Sequence, residues 1–169
     1  MIKNLVVFAL FPLFLITPKS FAQGKLAADF KTIIGKTYTS EHQIEVLKSF
    51  KYEQGIVIGN PNEGPFISTI EVFRKGKTAV VLLSKKIKTN PDEYRIIDVL
   101  KIISIPKNHE IRTYDCSRKN GNPDETIVAL VFSGSKRIVK FVKQAYVLKD
   151  IRFEKTTTKD ITCINEGIE

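Results

Sequence analysis

Two histidines, two cysteines and one aspartate inside an apolar run are the residues with which this chain could do chemistry. His42 stands beside Glu41, and His109 lies in the polar stretch Lys107-Asn108-His109-Glu110. Two histidines with a lysine are an acid–base set for RNase-like phosphodiester cleavage, and a net charge of +9 suits an anionic substrate. Nothing in the sequence brings the pair together, however, and histidines in polar loops are ordinarily solvated. Asp98 interrupts the run Ile96-Ile97-Asp98-Val99-Leu100. Facing the core, it requires a cation or backbone N–H groups as partner, so a structural role is the first expectation and a catalytic one the second. The acidic pairs Asp92-Glu93 and Asp124-Glu125 flank prolines, where solvated turn residues are the rule. No G-x-S-x-G, Walker A, GxGxxG or HExxH pattern occurs, and Ser133-Gly134-Ser135 reads as a hairpin loop. Two cysteines and two distant histidines lack metal-ligand spacing, so neither a metal nor a cofactor is expected. The balance is against an enzyme.

Where the chain travels decides what the cysteines do. Lys3 precedes an apolar core of twelve residues (5–16), and Ser20-Phe21-Ala22 places small residues where a signal peptidase acts. The core is shorter than the roughly 20 residues a membrane-spanning helix needs. No cysteine lies near the cleavage point to carry a lipid. Residues 1–22 are therefore expected to be a cleaved signal peptide, leaving residues 23–169 as one exported domain. The leader removes Lys3 and Lys19, so 27 basic residues become 25 against 18 acidic ones, a charge of +7. Export favours a structural disulfide between Cys116 and Cys163, since a redox pair would show C-x-x-C spacing.

The elements that must position these residues follow from periodicity. Leu26, Phe30, Ile33 and Ile34 predict a short helix over residues 26–34, stopping at Gly35. Ser40 with Gln43 makes a capping box for a second helix over residues 41–50, Ile44 and Leu47 facing inward. After the turn-rich residues 59–65 the pattern becomes that of strands. Residues 66–74 alternate, Lys75-Gly76 turns, and residues 78–84 (TAVVLLS) return as a buried strand. Strands are also expected over residues 94–105, 110–116, 126–132 (TIVALVF, central), 151–154 and 161–164. Residues 137–148 fit a helix through Ile138, Phe141, Val142, Ala145 and Leu148. They fit a strand through Val139, Phe141, Ala145 and Val147 with Lys143 out of phase; the β-branched and aromatic content favours the strand. The resulting expectation is an α+β domain with one or two N-terminal helices, then a mostly antiparallel sheet of about six to eight strands and one disulfide.

The second half of the chain resembles a group of small exported proteins of Gram-negative bacteria that carry no assigned activity. The likeness rests on Asp98-Val99-Leu100, Ile105-Pro106-Lys107, Cys116, Asn120-Gly121, Asp124, residues 127–131 (IVALV), Ile161, Cys163 and Asn165-Glu166. It spans about residues 94–167, and Tyr146 stands where many of those proteins have tryptophan. The resemblance implies an envelope location, the periplasm before the external medium, and no reaction. Arg118, Lys119, Lys136, Arg137, Lys140 and Lys143, with Phe141 or Tyr146 nearby, form a candidate patch for an anionic ligand. The plainer reading is a lysine-rich face guarding an edge strand. These observations lead to a non-catalytic binding module, most concretely an inhibitor or immunity-type protein, whose partner is another protein or an anionic envelope component; nucleic acid is the weaker choice. The alternatives are a small basic hydrolase acting on phosphodiesters and a protein that binds lipid or glycan surfaces.

Overall fold

Two apolar runs organise the molecule because each is buried on both faces. In the computed structural model, which describes residues 30–59, 68–122, 124–134 and 137–165, they are β4 (Thr78–Thr89) and β8 (Ile127–Phe132). Around them lie β1 (Thr37–Tyr38), β2 (Lys51–Ile58), β3 (Ser68–Lys75), β5 (Asp92–Ile102), β6 (His109–Arg112), β7 (Cys116–Arg118), β9 (Ile138–Val139), β10 (Val142–Lys149), β11 (Arg152–Thr156) and β12 (Ile161–Ile164). They form three sheets, of order β1-β5-β4-β3-β2, β11-β10-β8-β6 and β7-β12-β9, and every strand pairing is antiparallel.

Period-two alternation distributes the core among three interfaces. Ala79, Val81 and Leu83 of β4 meet Val128 and Leu130 of β8 between the first and second sheets. Val80 and Leu82 point the other way, under a cover of Phe30, Ile33, Ile44 and Leu47. Ile127, Ala129 and Val131 of β8 face the third sheet, where Cys116 and Cys163 are bonded. The two cysteines sit directly opposite one another in the β7–β12 ladder. Their bridge is the expected one, and with a sequence separation of 47 it contributes about 4 kcal/mol in the chain-entropy picture.

The α+β expectation is wrong. Among the described residues helix is limited to Phe30 and Lys31, which close on Gly35 at φ +86°, and two 3-10 turns, Glu41–Gln43 and Glu45–Leu47. Residues 26–29 of the first expected helix lie outside the described residues. The start signals of the second are real: Ser40 accepts from the His42 N–H, and Gln43 exchanges hydrogen bonds with Thr39. Ile44 is nonetheless extended and splits the segment. The reason is reach. The chain enters this stretch from β1, at one margin of the first sheet, and leaves it into β2, at the other, so it must cross four strand spacings, about 19 Å. An α-helix over residues 41–50 advances only about 15 Å, whereas 3-10 and extended residues rise further per step while still burying Ile44 and Leu47.

Twelve strands stand among the described residues where about six to eight were expected: β1 and β2 form in stretches not read as strands, and two expected strands break as they pass from one sheet to another. Residues 110–116 divide at Thr113-Tyr114-Asp115, with Asp115 at φ +61°, so that β6 joins the second sheet and β7 the third. Residues 137–148 divide at Lys140-Phe141 in the same way, into β9 and β10. The register of β10 against β8 slips between Val142 and Gln144, which places a bulge at Lys143, the residue out of phase in the strand pattern. Polar side chains stitch the first two sheets along both margins. Gln54 donates to the Ile111 carbonyl at 2.6 Å and Arg74 to that of His109 at 3.3 Å, while on the far side Asp98 accepts from the Phe153 N–H at 2.7 Å.

Candidate functional site

The sequence-derived site residues divide between scaffold and surface. His42 is exposed on the N-terminal cover, 3.8 Å from the Glu41 carboxylate. His109 opens β6 at the margin of the second sheet, its ring edge-on to Phe132 with centroids 5.7 Å apart. The two histidines line separate recesses, with Leu47, Phe50 and Phe73 around His42 and Phe132, Ile138 and Phe141 around His109. They are not brought into one catalytic set. Asp98 stands at a bulge in β5, where the register against β4 slips past Ile97, and its carboxylate holds the margin of β11. It is structural in geometry, with a backbone N–H as the required partner.

The six basic residues of the proposed patch separate. Arg118 is consumed within the fold: it pairs with Glu125 at 3.4 Å and donates to the Thr156 hydroxyl at 2.9 Å and the Thr157 carbonyl at 3.3 Å. Lys119 follows it, at the end of the third sheet where Arg118 pairs with Ile161. Arg137 leads into β9 at the opposite end, where Ile138 pairs with Ile164. Arg137, Lys140 and Lys143 are exposed; Lys136 lies outside the described residues.

At Lys140 the break between β9 and β10 leaves an apolar groove of about 770 Å³, lined by Phe132, Ile138, Val139 and Phe141 together with His109, Gly134 and Lys140. Phe141 is 78% exposed, Ile138 53% and Phe132 41%. The His109 Nδ1 is buried and has no hydrogen-bond partner among the described residues. The exposure follows from local structure: Phe141 falls on the sheet-changing step, its carbonyl tied to the Phe132 N–H at 3.1 Å, so its ring is left outside both sheets. Periodicity placed Phe141 on the inner face in either reading of residues 137–148, and the break that turns it outward carries no proline or glycine to announce it.

A second constellation escaped the sequence altogether. Under the N-terminal cover Tyr38 donates to the Glu71 carboxylate and lies 2.9 Å from the Ser84 hydroxyl. Burial pushes the Tyr38 hydroxyl far above the ordinary phenol range, and the Glu71 charge adds to this. Burial also raises Glu71, against the Tyr38 hydrogen bond, with Glu41 adding to the rise. Tyr52 is raised by burial, then by Glu71 and Glu41. Its hydroxyl lies over Gly55, where a Cβ would stand 2.6 Å from it. The available signal was Glu71 itself, a charge between Ile70 and Val72 in a strand covered on both faces. The cluster joins β1, β3 and β4 of the first sheet beneath the cover, and Tyr52 also lines the recess beside His42.

What fold and site define is a layered antiparallel β protein with one disulfide, an apolar groove with Lys140 in its lining, and two histidines in separate recesses. No family model matches the chain, and neither a curated protein nor a solved structure does. Among the described residues no helix is long and apolar enough to cross a membrane.

Proposed function

We propose that this chain is an exported binding module of the bacterial envelope, working in the periplasm without catalysing a reaction, and that it engages its partner through the groove between Phe132, Ile138 and Phe141. An inhibitor or immunity-type protein that caps another protein is the concrete form of this reading. The observation that carries it is the gathering of three exposed large apolar side chains around one groove, beside β9, whose neighbour β12 is fixed to β7 by the Cys116–Cys163 bond. Concave apolar surfaces with a polar rim mark contact sites, and a rigid scaffold lowers the entropy cost of binding. The separation of His42 from His109 supports the non-catalytic side of the reading.

The test uses the oxidised mature protein as bait in periplasmic extract, beside a Phe141→Ser variant of unchanged thermal stability. A protein held by the wild type at moderate salt and lost from the variant is the expected result. Turnover of a phosphodiester substrate by the purified protein, abolished by His109→Ala, would overturn the reading.

A further inference from the structure

We infer that the groove takes an extended, acidic segment of a protein in which apolar residues alternate with carboxylates, a partner class that rests on the binding-module reading above. Charge is the first argument. From Thr126 to Lys149 the sequence has five basic residues, Lys136, Arg137, Lys140, Lys143 and Lys149, and no acid. Lys140 is exposed and part of the groove's lining, and the exposed Arg137 and Lys143 lie within three residues of it in sequence. The neighbouring acid, Glu110, is already held by Arg112 at 2.6 Å, leaving the rim cationic. An apolar floor with a rim of one sign selects a ligand that is apolar on one side and oppositely charged on the other.

Shape is the second. β9 is the outer strand of the third sheet, so a chain laid along the groove beside it can add as a further strand. An added strand presents alternate side chains to the two sides, which sends apolar residues toward Ile138, Phe132 and Phe141 and carboxylates to the other side, that of Arg137, with Lys140 standing where β9 ends. A second copy of this chain is disfavoured as occupant, because it would bring the same cations face to face. A lipid surface suits the groove less well, because Phe132 and Ile138 belong to strands that wall a concavity and do not project from a loop tip.

The experiment measures binding of three probes to the full oxidised protein: a labelled peptide alternating glutamate with leucine, its lysine–leucine counterpart, and vesicles containing phosphatidylglycerol. The glutamate peptide should bind, weaken with added salt, and lose roughly tenfold or more in affinity in Phe141→Ser and in Lys140→Glu. Ile138→Ser provides an independent apolar variant, and thermal melts of all three confirm that each is folded. Failure of the glutamate peptide to bind, or equal binding of the lysine peptide, overturns the acidic-segment assignment. Vesicle binding that depends on Phe141 while the peptides do not bind also overturns it, yet leaves the groove as the contact surface. If neither these probes nor the partners from extract depend on Phe141, both readings fall together.

Discussion

Glu71 sits beneath the N-terminal cover with Tyr38 and Tyr52 around it and the Glu41 charge nearby, and burial is the main cause of its raised pKa. The folded state therefore favours the neutral carboxyl. This contribution to stability is complete below the ordinary carboxylate pKa and is lost as pH rises through the higher folded value. Glu71→Gln keeps an oxygen to accept from Tyr38 and cannot ionise. The variant should be more stable than the wild type at pH 7, and the difference should shrink toward pH 4, as read from urea midpoints across that range. Glu53, raised by burial against the pull of Arg74, has the same sign and leaves part of the slope in place. A wild-type advantage at pH 7 would show that Glu71 is held as a carboxylate despite its burial.

Single strands were legible where their whole length obeys one environment. TAVVLLS and IVALV read as buried because each is covered on both faces, and Lys75-Gly76 read as a turn because Gly76 takes φ +59° there. The changes of sheet at residues 113–115 and 140–141 were not legible, since a strand that leaves one ladder for another keeps its β-branched composition throughout. The exposed Phe141 depends on such a change, which is why the candidate groove was the least visible part of the molecule. The cysteine pair and the partner type of Asp98 were visible, because a lone pair of cysteines without C-x-x-C spacing and a charge in an apolar run each leave few physical outcomes. At this scale Asp98 makes a further prediction. Its carboxylate satisfies the Phe153 N–H on the outer strand of the second sheet, so Asp98→Ala should cost about 1–3 kcal/mol and Asp98→Asn, which retains an acceptor, clearly less. Equal losses from the two variants in urea denaturation would place the cost in packing.

Across the whole molecule the layers run in the order cover, first sheet, second sheet, third sheet, and their fastenings differ in kind. The third sheet is closed by the Cys116–Cys163 bond and by the arms of Arg118. The cover rests on the first sheet through Phe30, Ile33, Ile44 and Leu47 and is hydrogen-bonded into it through Tyr38, with β1 pairing only Thr37 and Tyr38 to β5. That ladder, the backbone bonds from Gly35 to the Ile96 carbonyl at 2.8 Å and from Ile96 to the Lys36 carbonyl at 3.0 Å, and one buried hydroxyl are a small attachment beside the long ladders of β4, so the cover should open without the rest. β4 and β8, by contrast, are paired on both sides and covered on both faces, and their amides can reach solvent only when the sandwich comes apart. Native-state hydrogen exchange should show β4 and β8 as the slowest strands and residues 30–50 exchanging well ahead of them. Tyr38→Phe removes the donor to Glu71 and leaves that carboxyl and Ser84 without their shared partner, a change of about 1–3 kcal/mol. Its effect should fall on the cover: exchange across residues 30–50 should quicken while β8 keeps its wild-type rate. Acceleration of β8 by the same factor would mean that cover and sandwich open as one cooperative unit, and that the Tyr38 cluster secures the entire fold.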